Sequence, residues 1–149
     1  MHWMILPFKR YVDFTGRSRR MEYWMFTLFN IIVMLILAFI AFGGIGLADL
    51  SDPASDEMLI AGLTGGFGLL ILAYFLVILI PSIAVTVRRL HDRDMSGWWY
   101  LGFFVGGLLP YVGFLFSIAL LVLMLLPGTP GPNRFGEDPK GGVSAEVFE

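Results

Sequence analysis

The sequence predicts an all-α fold, a polytopic integral membrane helical bundle, on three observations. Of its 149 residues 57% are hydrophobic and 15% charged, with a mean hydropathy of +0.78; soluble domains run about 45–50% apolar and about 25% charged. The charges fall into clusters separated by uncharged runs of 26 residues (Tyr23 to Ala48), 30 (Met58 to Val87) and 39 (Met95 to Asn133). Roughly 20 apolar residues in a helix cross the ~30 Å hydrocarbon core, so each run is long enough. The third observation is that Lys and Arg alternate between successive loops. This composition argues against a water-soluble globular enzyme. A formal charge of −2 gives no reason to expect nucleic acid, and the absence of cysteine excludes disulfides, thiolate chemistry and Cys-ligated metal.

Taken in order, residues 1–22 predict a cytoplasmic interfacial segment, in which Trp3, Ile5, Leu6, Phe8, Tyr11, Val12 and Phe14 interleave with Lys9, Arg10 and Asp13. A secretory signal would carry a short apolar core and a small-residue cleavage site, whereas here an Arg-rich segment precedes a full-length span, so the span is kept as an anchor. Residues 23–42 are the first span, with Asn30 its most polar member. Residues 43–57 are an external loop carrying Asp49, Asp52, Asp56 and Glu57. Residues 58–87 are the second span, running through Pro81, and Gly62, Gly65, Gly66 and Gly68 place small residues on one face for close helix contact. Residues 88–97 are a cytoplasmic loop. The apolar stretch 98–126 holds Gly106, Gly107, Pro110 and Gly113 near its middle. As one helix it would be about 44 Å long; split at Pro110 it gives pieces of about 18 and 24 Å, short for full crossings. It reads either as a third transmembrane helix or, by preference, as a helical hairpin broken at Pro110. Residues 127–149 are a Gly/Pro-rich tail that frays beyond Pro139.

Orientation follows from Lys and Arg in the short loops. Five precede Tyr23 (Lys9, Arg10, Arg17, Arg19, Arg20), none lies in 43–57, and three lie in 88–97 (Arg88, Arg89, Arg93). The N-terminus and the Arg88 loop are therefore expected inside, and the acidic loop outside. Arg134 and Lys140 favour an inside tail over weak opposition from Glu137, Asp138, Glu146 and Glu149. Tyr23, Trp24, Trp98, Trp99 and Tyr100 mark the ends of the apolar runs at headgroup depth.

Three polar blocks supply the candidate site. In the first, Phe14 to Trp24, a helix from Arg17 onward would let Arg19 pair with Glu22 and Arg20 reach Trp24. In the second, Arg88 to Trp99, a helix continued past Val87 would let Arg88 pair with Asp92, with His91 on the side of Arg88. Adjacent His and Asp suggest acid–base or metal chemistry, but zinc takes at least three protein ligands and the other histidine is His2. In the third, Gly128 to Pro139, Pro and Gly build successive turns, and Arg134 could reach back to Asp92 or Glu22. Each block also has a plain reading, as topology anchor, helix-end capping or membrane-exit turn.

Together these blocks carry a resemblance. Phe14, Gly16, Arg17, Arg20, Glu22, Tyr23 and Trp24, then Arg88-Arg-Leu-His-Asp92 with Ser96-Gly-Trp-Trp99, then Gly128-Thr-Pro-Gly with Asn133-Arg-Phe-Gly136 and Asp138-Pro139 resemble the bacterial inner-membrane family known as domain of unknown function 805. The resemblance runs from about Phe8 to Pro139. Met21 stands where a basic residue is common in that pattern, and the acidic loop is a variable region. It implies a small multi-helix protein of the bacterial inner membrane and carries over no activity, cofactor or catalytic residue.

The functional expectation is a protein that binds anionic lipid headgroups or a partner protein through a cytoplasmic-face cluster of Arg17, Arg20, Glu22, Arg88, Arg89, His91, Asp92, Asn133 and Arg134. No catalytic residue, metal ligand or cofactor is assigned, and a homo-oligomer is a further expected partner. The rivals are a transporter or channel component, for which the Pro110 break speaks, and a membrane-embedded enzyme on lipid phosphates, with His91 as base.

Overall fold

The computed structural model describes residues 2–42, 57, 60 and 65–141. Asp49, Asp52 and Asp56 of the acidic loop, Gly62, and the tail beyond residue 141 lie outside the described residues. Among the described residues the fold is all-helical, with helices α1 (His2–Lys9), α2 (Arg20–Phe42), α3 (Gly66–His91), α4 (Trp98–Gly107) and α5 (Gly113–Leu125). Among the described residues the sole extended pairing is an isolated bridge between Asn133 and Gly136. Two helices, over Arg20–Ile40 and Gly68–His91, are long and apolar enough to cross a membrane. Only 6% of the first such segment and 22% of the second is buried, the reverse of a core helix in a soluble protein.

The chain divides into two units, Thr27–Ile80 and the remainder, with Pro81 opening the return to the latter. Within Thr27–Ile80, α2 and α3 share a hydrogen bond from the Tyr74 hydroxyl to Asn30 Oδ1 at 2.7 Å. Asn30 is buried, so the most polar residue expected in the first span meets a donor where water is excluded. At Gly66 no atom stands near the position of a Cβ, so the close helix contact expected of that small-residue face is not made there.

The other unit contains α1, both ends of the polar sequence and the helical hairpin. Phe8 of α1 packs edge-on against Phe26 of α2, ring centroids 5.3 Å apart. The apolar stretch after Trp98 is broken, as the Pro110 reading expects, but over residues 108–112 rather than at one residue. Leu108 and Leu109 close the last turn of α4 onto Val105 and Gly106, and Gly113 bonds back to Leu109. Gly106 faces the Phe116 ring and Gly113 the Gly107 carbonyl so closely that neither has room for a Cβ.

At the polar end the helices extend beyond the expected spans. Helix α2 starts at Arg20 rather than Tyr23, and α3 continues to His91 rather than ending at Val87. A left-handed cap then stops it. Asp94 sits at φ 58°, with Asp94 N–H donating to His91 O (2.9 Å) and Met95 N–H to Leu90 O (3.0 Å). Polar side chains dominate the interior here. Arg17, Ser18, Glu22, Thr86, Arg88, Arg89, His91 and Asp92 are buried, whereas Ile36, Phe39, Leu72, Phe104 and Phe114 are exposed. Such inversion suits a solvent that is hydrocarbon along the helices and water at their ends.

Candidate functional site

The first and second polar blocks meet at the junction of the start of α2 with the end of α3. Glu22, in the first turn of α2, is well placed for the positive end of that helix. It also accepts from Arg88 Nη2 at 2.9 Å, both side chains almost wholly buried. Arg88 Nη1 donates to the Arg10 carbonyl (3.3 Å) and to that of Asp13, so one guanidinium ties the N-terminal segment to α2. The Arg88 carbonyl in turn accepts Ser18 N–H at 3.1 Å. Asp92 is the hub. Its Oδ1 accepts from Arg17 (Nε 3.0 Å, Nη2 2.9 Å) and its Oδ2 from Arg89.

The tail closes over this pair. Arg17 also donates to the carbonyls of Thr129 and Gly131, each at 2.6 Å. Thr129 N–H donates to the Asp92 carbonyl at 2.8 Å. Gly128 lies flush against the Asp92 carboxylate, where any Cβ would overlap it. Asn133 Nδ2 donates to the His91 carbonyl at 2.9 Å, and Asn133 Oδ1 accepts Phe135 N–H at 2.9 Å, which sets the turn. That turn stacks Phe135 on His91, centroids 3.9 Å apart and planes within 3°. His91 Nδ1 donates to the Gly16 carbonyl at 3.1 Å, a position Gly16 reaches at φ 73°.

The C-terminal end of α5 has no cation of its own in its last turn, and its last carbonyls would otherwise be orphans. Arginines from elsewhere take them in succession. Arg89 donates to Met124 O (3.4 Å) and Leu126 O, Arg20 to Leu125 O (3.2 Å) and Arg93 to Pro127 O (2.8 Å). The junction therefore buries three guanidiniums, Arg17, Arg88 and Arg89, against two carboxylates, Glu22 and Asp92. The two helix C-termini that end there, of α3 and α5, each carry roughly −0.5 charge, which after the roughly +0.5 at the start of α2 offsets about half of the surplus.

This geometry reassigns several expected contacts. Arg88 pairs with Glu22 rather than Asp92, because Arg89, three residues before Asp92, occupies its Oδ2. Arg19 turns to the Pro139 carbonyl and the Trp3 ring (5.5 Å) instead of Glu22. Arg20 turns to Leu125 instead of Trp24. Arg134 stops at the exposed Asp94 (3.1 Å), short of Asp92 or Glu22. All nine candidate residues lie in this unit, but they divide: Arg17, Glu22, Arg88, Arg89, His91 and Asp92 are buried, Asn133 is half-buried, and Arg20 and Arg134 are exposed. Arg93, Gly128, Thr129 and Phe135 belong to the junction and were not among the candidates. A usable signal was that an apolar helix ending without its own cations needs donors from outside.

The adjacent His91 and Asp92 do not form an acid–base dyad. The imidazole bonds a backbone carbonyl, while the carboxylate is held by two guanidiniums. Among the described residues no group of three or more His, Asp or Glu could hold a metal ion. At the rim, hydrogen bonds from the Thr15 hydroxyl (2.6 Å) and amide (3.0 Å), aided by Arg10, outweigh partial burial and bring the Asp13 carboxyl down to about 2. The Lys140 amide lowers Asp138 in the same way.

The family described as "Protein of unknown function (DUF805)" matches residues 11–137, which include the first two polar blocks and the third as far as Glu137. The inner membrane protein YhaH of Escherichia coli (strain K12) is 41% identical over 140 residues, covering 94% of this chain and 98% of that protein. The inner membrane protein YhaI of the same organism is 42% identical over 142 residues, covering 95% and 98%. The protein YiiR, also from that organism, is 31% identical over 144 residues and 85% of each chain. No solved structure matches. The chain belongs to the DUF805 family, alongside relatives that are inner membrane proteins.

Proposed function

We propose that this inner-membrane protein binds anionic phospholipid headgroups through the exposed cations around a buried arginine clasp. The N-terminus, the Arg88–Gly97 segment and the tail lie on the cytoplasmic side. The observation that carries this reading is the gathering of charge. All ten Lys and Arg of the chain fall within residues 2–22 and 88–141, where the carboxylates are Asp13, Glu22, Asp92, Asp94, Glu137 and Asp138. The buried members of the cluster are occupied with one another and with backbone carbonyls, which leaves Lys9, Arg20, Arg134 and Lys140 at the surface. Each cation near an anionic leaflet contributes about 1 kcal/mol of attraction. Exposed Trp98 and Trp99 support a headgroup depth for this end.

The division of labour makes the proposal testable without unfolding the protein. Wild type and a Lys9→Gln/Lys140→Gln variant, which leaves the Arg20 contact with Leu125 in place, are reconstituted in nanodiscs of phosphatidylcholine with a minor fraction of phosphatidylglycerol. Lipid retained on extraction into mild detergent is then measured by native mass spectrometry. Wild type should retain phosphatidylglycerol in excess of its bilayer fraction, and the variant should lose that excess at an unchanged melting temperature. Equal enrichment in both, or none in wild type, would exclude the proposal. Retention of a protein rather than a lipid on the same cations would point to partner binding instead.

A further inference from the structure

The hairpin of α4 and α5 starts and ends at one place. Trp98 follows directly on the cap of α3, with Gly97 against Val87 and His91. At the other end, the carbonyls of Leu125, Leu126 and Pro127 are held by Arg20, Arg89 and Arg93. The chain therefore leaves the arginine clasp at Trp98 and comes back to it at Leu125. With 10 and 13 residues, the two arms rise about 15 and 20 Å, well short of the ~30 Å hydrocarbon core.

The tip is made for oil. Residues 108–112 are Leu-Leu-Pro-Tyr-Val, with Leu108 70% and Tyr111 96% exposed. Four of the N–H groups in and just after it are turned inward, that of Tyr111 excepted. Leu108 N–H donates to Val105 O and Leu109 N–H to Gly106 O, both at 3.1 Å, while Val112 N–H donates to Pro110 O and Gly113 N–H to Leu109 O, both at 2.9 Å. Pro110 has no N–H to satisfy. Each N–H satisfied inside the turn lowers the cost of surrounding the loop with acyl chains. The glycine contacts at Gly106–Phe116 and Gly113–Gly107 hold the two arms together as one unit.

We propose that α4 and α5 form a re-entrant hairpin, which enters and leaves through the membrane face carrying the end of α3 and buries its Leu108–Val112 tip among acyl chains inside the bilayer. About 10 Å of hydrocarbon beyond the tip is lipid alone. The depth of the tip is independent of the orientation proposed above; only the naming of the entry side as cytoplasmic rests on it.

The chain has no cysteine, so single-cysteine variants report one position each. Tyr111→Cys, Leu109→Cys, Lys9→Cys and Lys140→Cys are made in the full chain. Each is treated with a membrane-impermeant maleimide in right-side-out and in inverted vesicles, then with a permeant one in SDS. The same tip positions carry a nitroxide for oxygen and nickel-chelate accessibility. Expected are Lys9→Cys and Lys140→Cys labelled from the same side, and both tip positions labelled from neither side until SDS is added, with oxygen accessibility far above that of the chelate. The two tip variants guard against a folding defect in one of them. Tip labelling from the side opposite Lys9→Cys means two full crossings, tip labelling from the same side means a surface hairpin, and Lys140→Cys on the opposite side means an odd crossing; each overturns the proposal. Lys9→Cys and Lys140→Cys both external, with the tip protected, would support the hairpin and overturn the orientation instead.

Discussion

Replacing Asp92 with Asn changes one oxygen to nitrogen in the middle of the clasp. The side chain of Asp92 is 4% exposed, and its two oxygens face the guanidiniums of Arg17 (1% exposed) and Arg89 (0% exposed). Whichever way the new amide lies, one guanidinium meets an N–H donor and both lose their counter-charge. At an effective dielectric constant of about 20, a pair at about 4 Å is worth about 4 kcal/mol. Removing one partner of a buried pair costs about 3–5 kcal/mol, because the other charge stays buried. A loss of at least about 3 kcal/mol lowers the melting temperature by at least about 6 °C, taking about 2–4 °C per kcal/mol for a chain of this size. The four tryptophans permit the assay by intrinsic fluorescence on protein in mild detergent. Asp94→Asn serves as the contrast, since Asp94 and Arg134 are 46% and 61% exposed and an exposed pair contributes about 0–1 kcal/mol. An Asp92→Asn midpoint within about 2 °C of wild type, or one no lower than that of Asp94→Asn, would refute the reasoning that assigns Asp92 the hub.

Gly128→Ala places a methyl group against the Asp92 carboxylate, which two arginines prevent from moving aside; the tail should detach, seen as protease cleavage between residues 127 and 141 under conditions that spare wild type. Tyr74→Phe removes the hydrogen bond to Asn30 and should cost about 0.6–1.7 kcal/mol, read from the same melting curves. The Asp13 carboxyl should titrate at about 2 by carbon NMR, and Thr15→Val should move that midpoint upward. Because its folded value is depressed, Asp13 contributes stability above the usual carboxylate range, and this is lost as pH falls through about 4 toward 2.

Much of the fold was legible because a bilayer imposes a length and a polarity on whatever crosses it. The uncharged run after Tyr23 became α2, the run ending at Val87 became most of α3, and Pro110 marked the break between α4 and α5. The ends of the helices were less legible. Arg20 and the Arg88–His91 turn are charged, so hydropathy ended the spans early, yet the helix continues where carboxylates and carbonyls from other segments receive those charges.

The site was legible as a set and illegible as a set of pairs. Spacing along one helix ranks neighbours three and four apart, and so it proposed Arg88 with Asp92 and Arg19 with Glu22. The contacts that form join residues 66 (Glu22 to Arg88) and 75 (Arg17 to Asp92) positions apart. Nothing in local periodicity selects between Arg88 and Arg89 for Asp92; that choice is made by Glu22 arriving from α2. Gly128 shows the same limit. In sequence it reads as part of a turn, and only its seat against the Asp92 carboxylate explains why that position takes no side chain.

The central claim is that the polar blocks close on each other into a buried clasp rather than standing as separate solvated charges. An ion pair that joins α2 to α3 within the clasp is Glu22 with Arg88 at 2.9 Å. A double-mutant cycle with Glu22→Gln, Arg88→Met and the combination, measured by thermal unfolding in one detergent, isolates that contact. The clasp predicts a coupling of about 1–3 kcal/mol, with the double variant more stable than the sum of the single losses implies. Losses that add to within about 0.5 kcal/mol would contradict it.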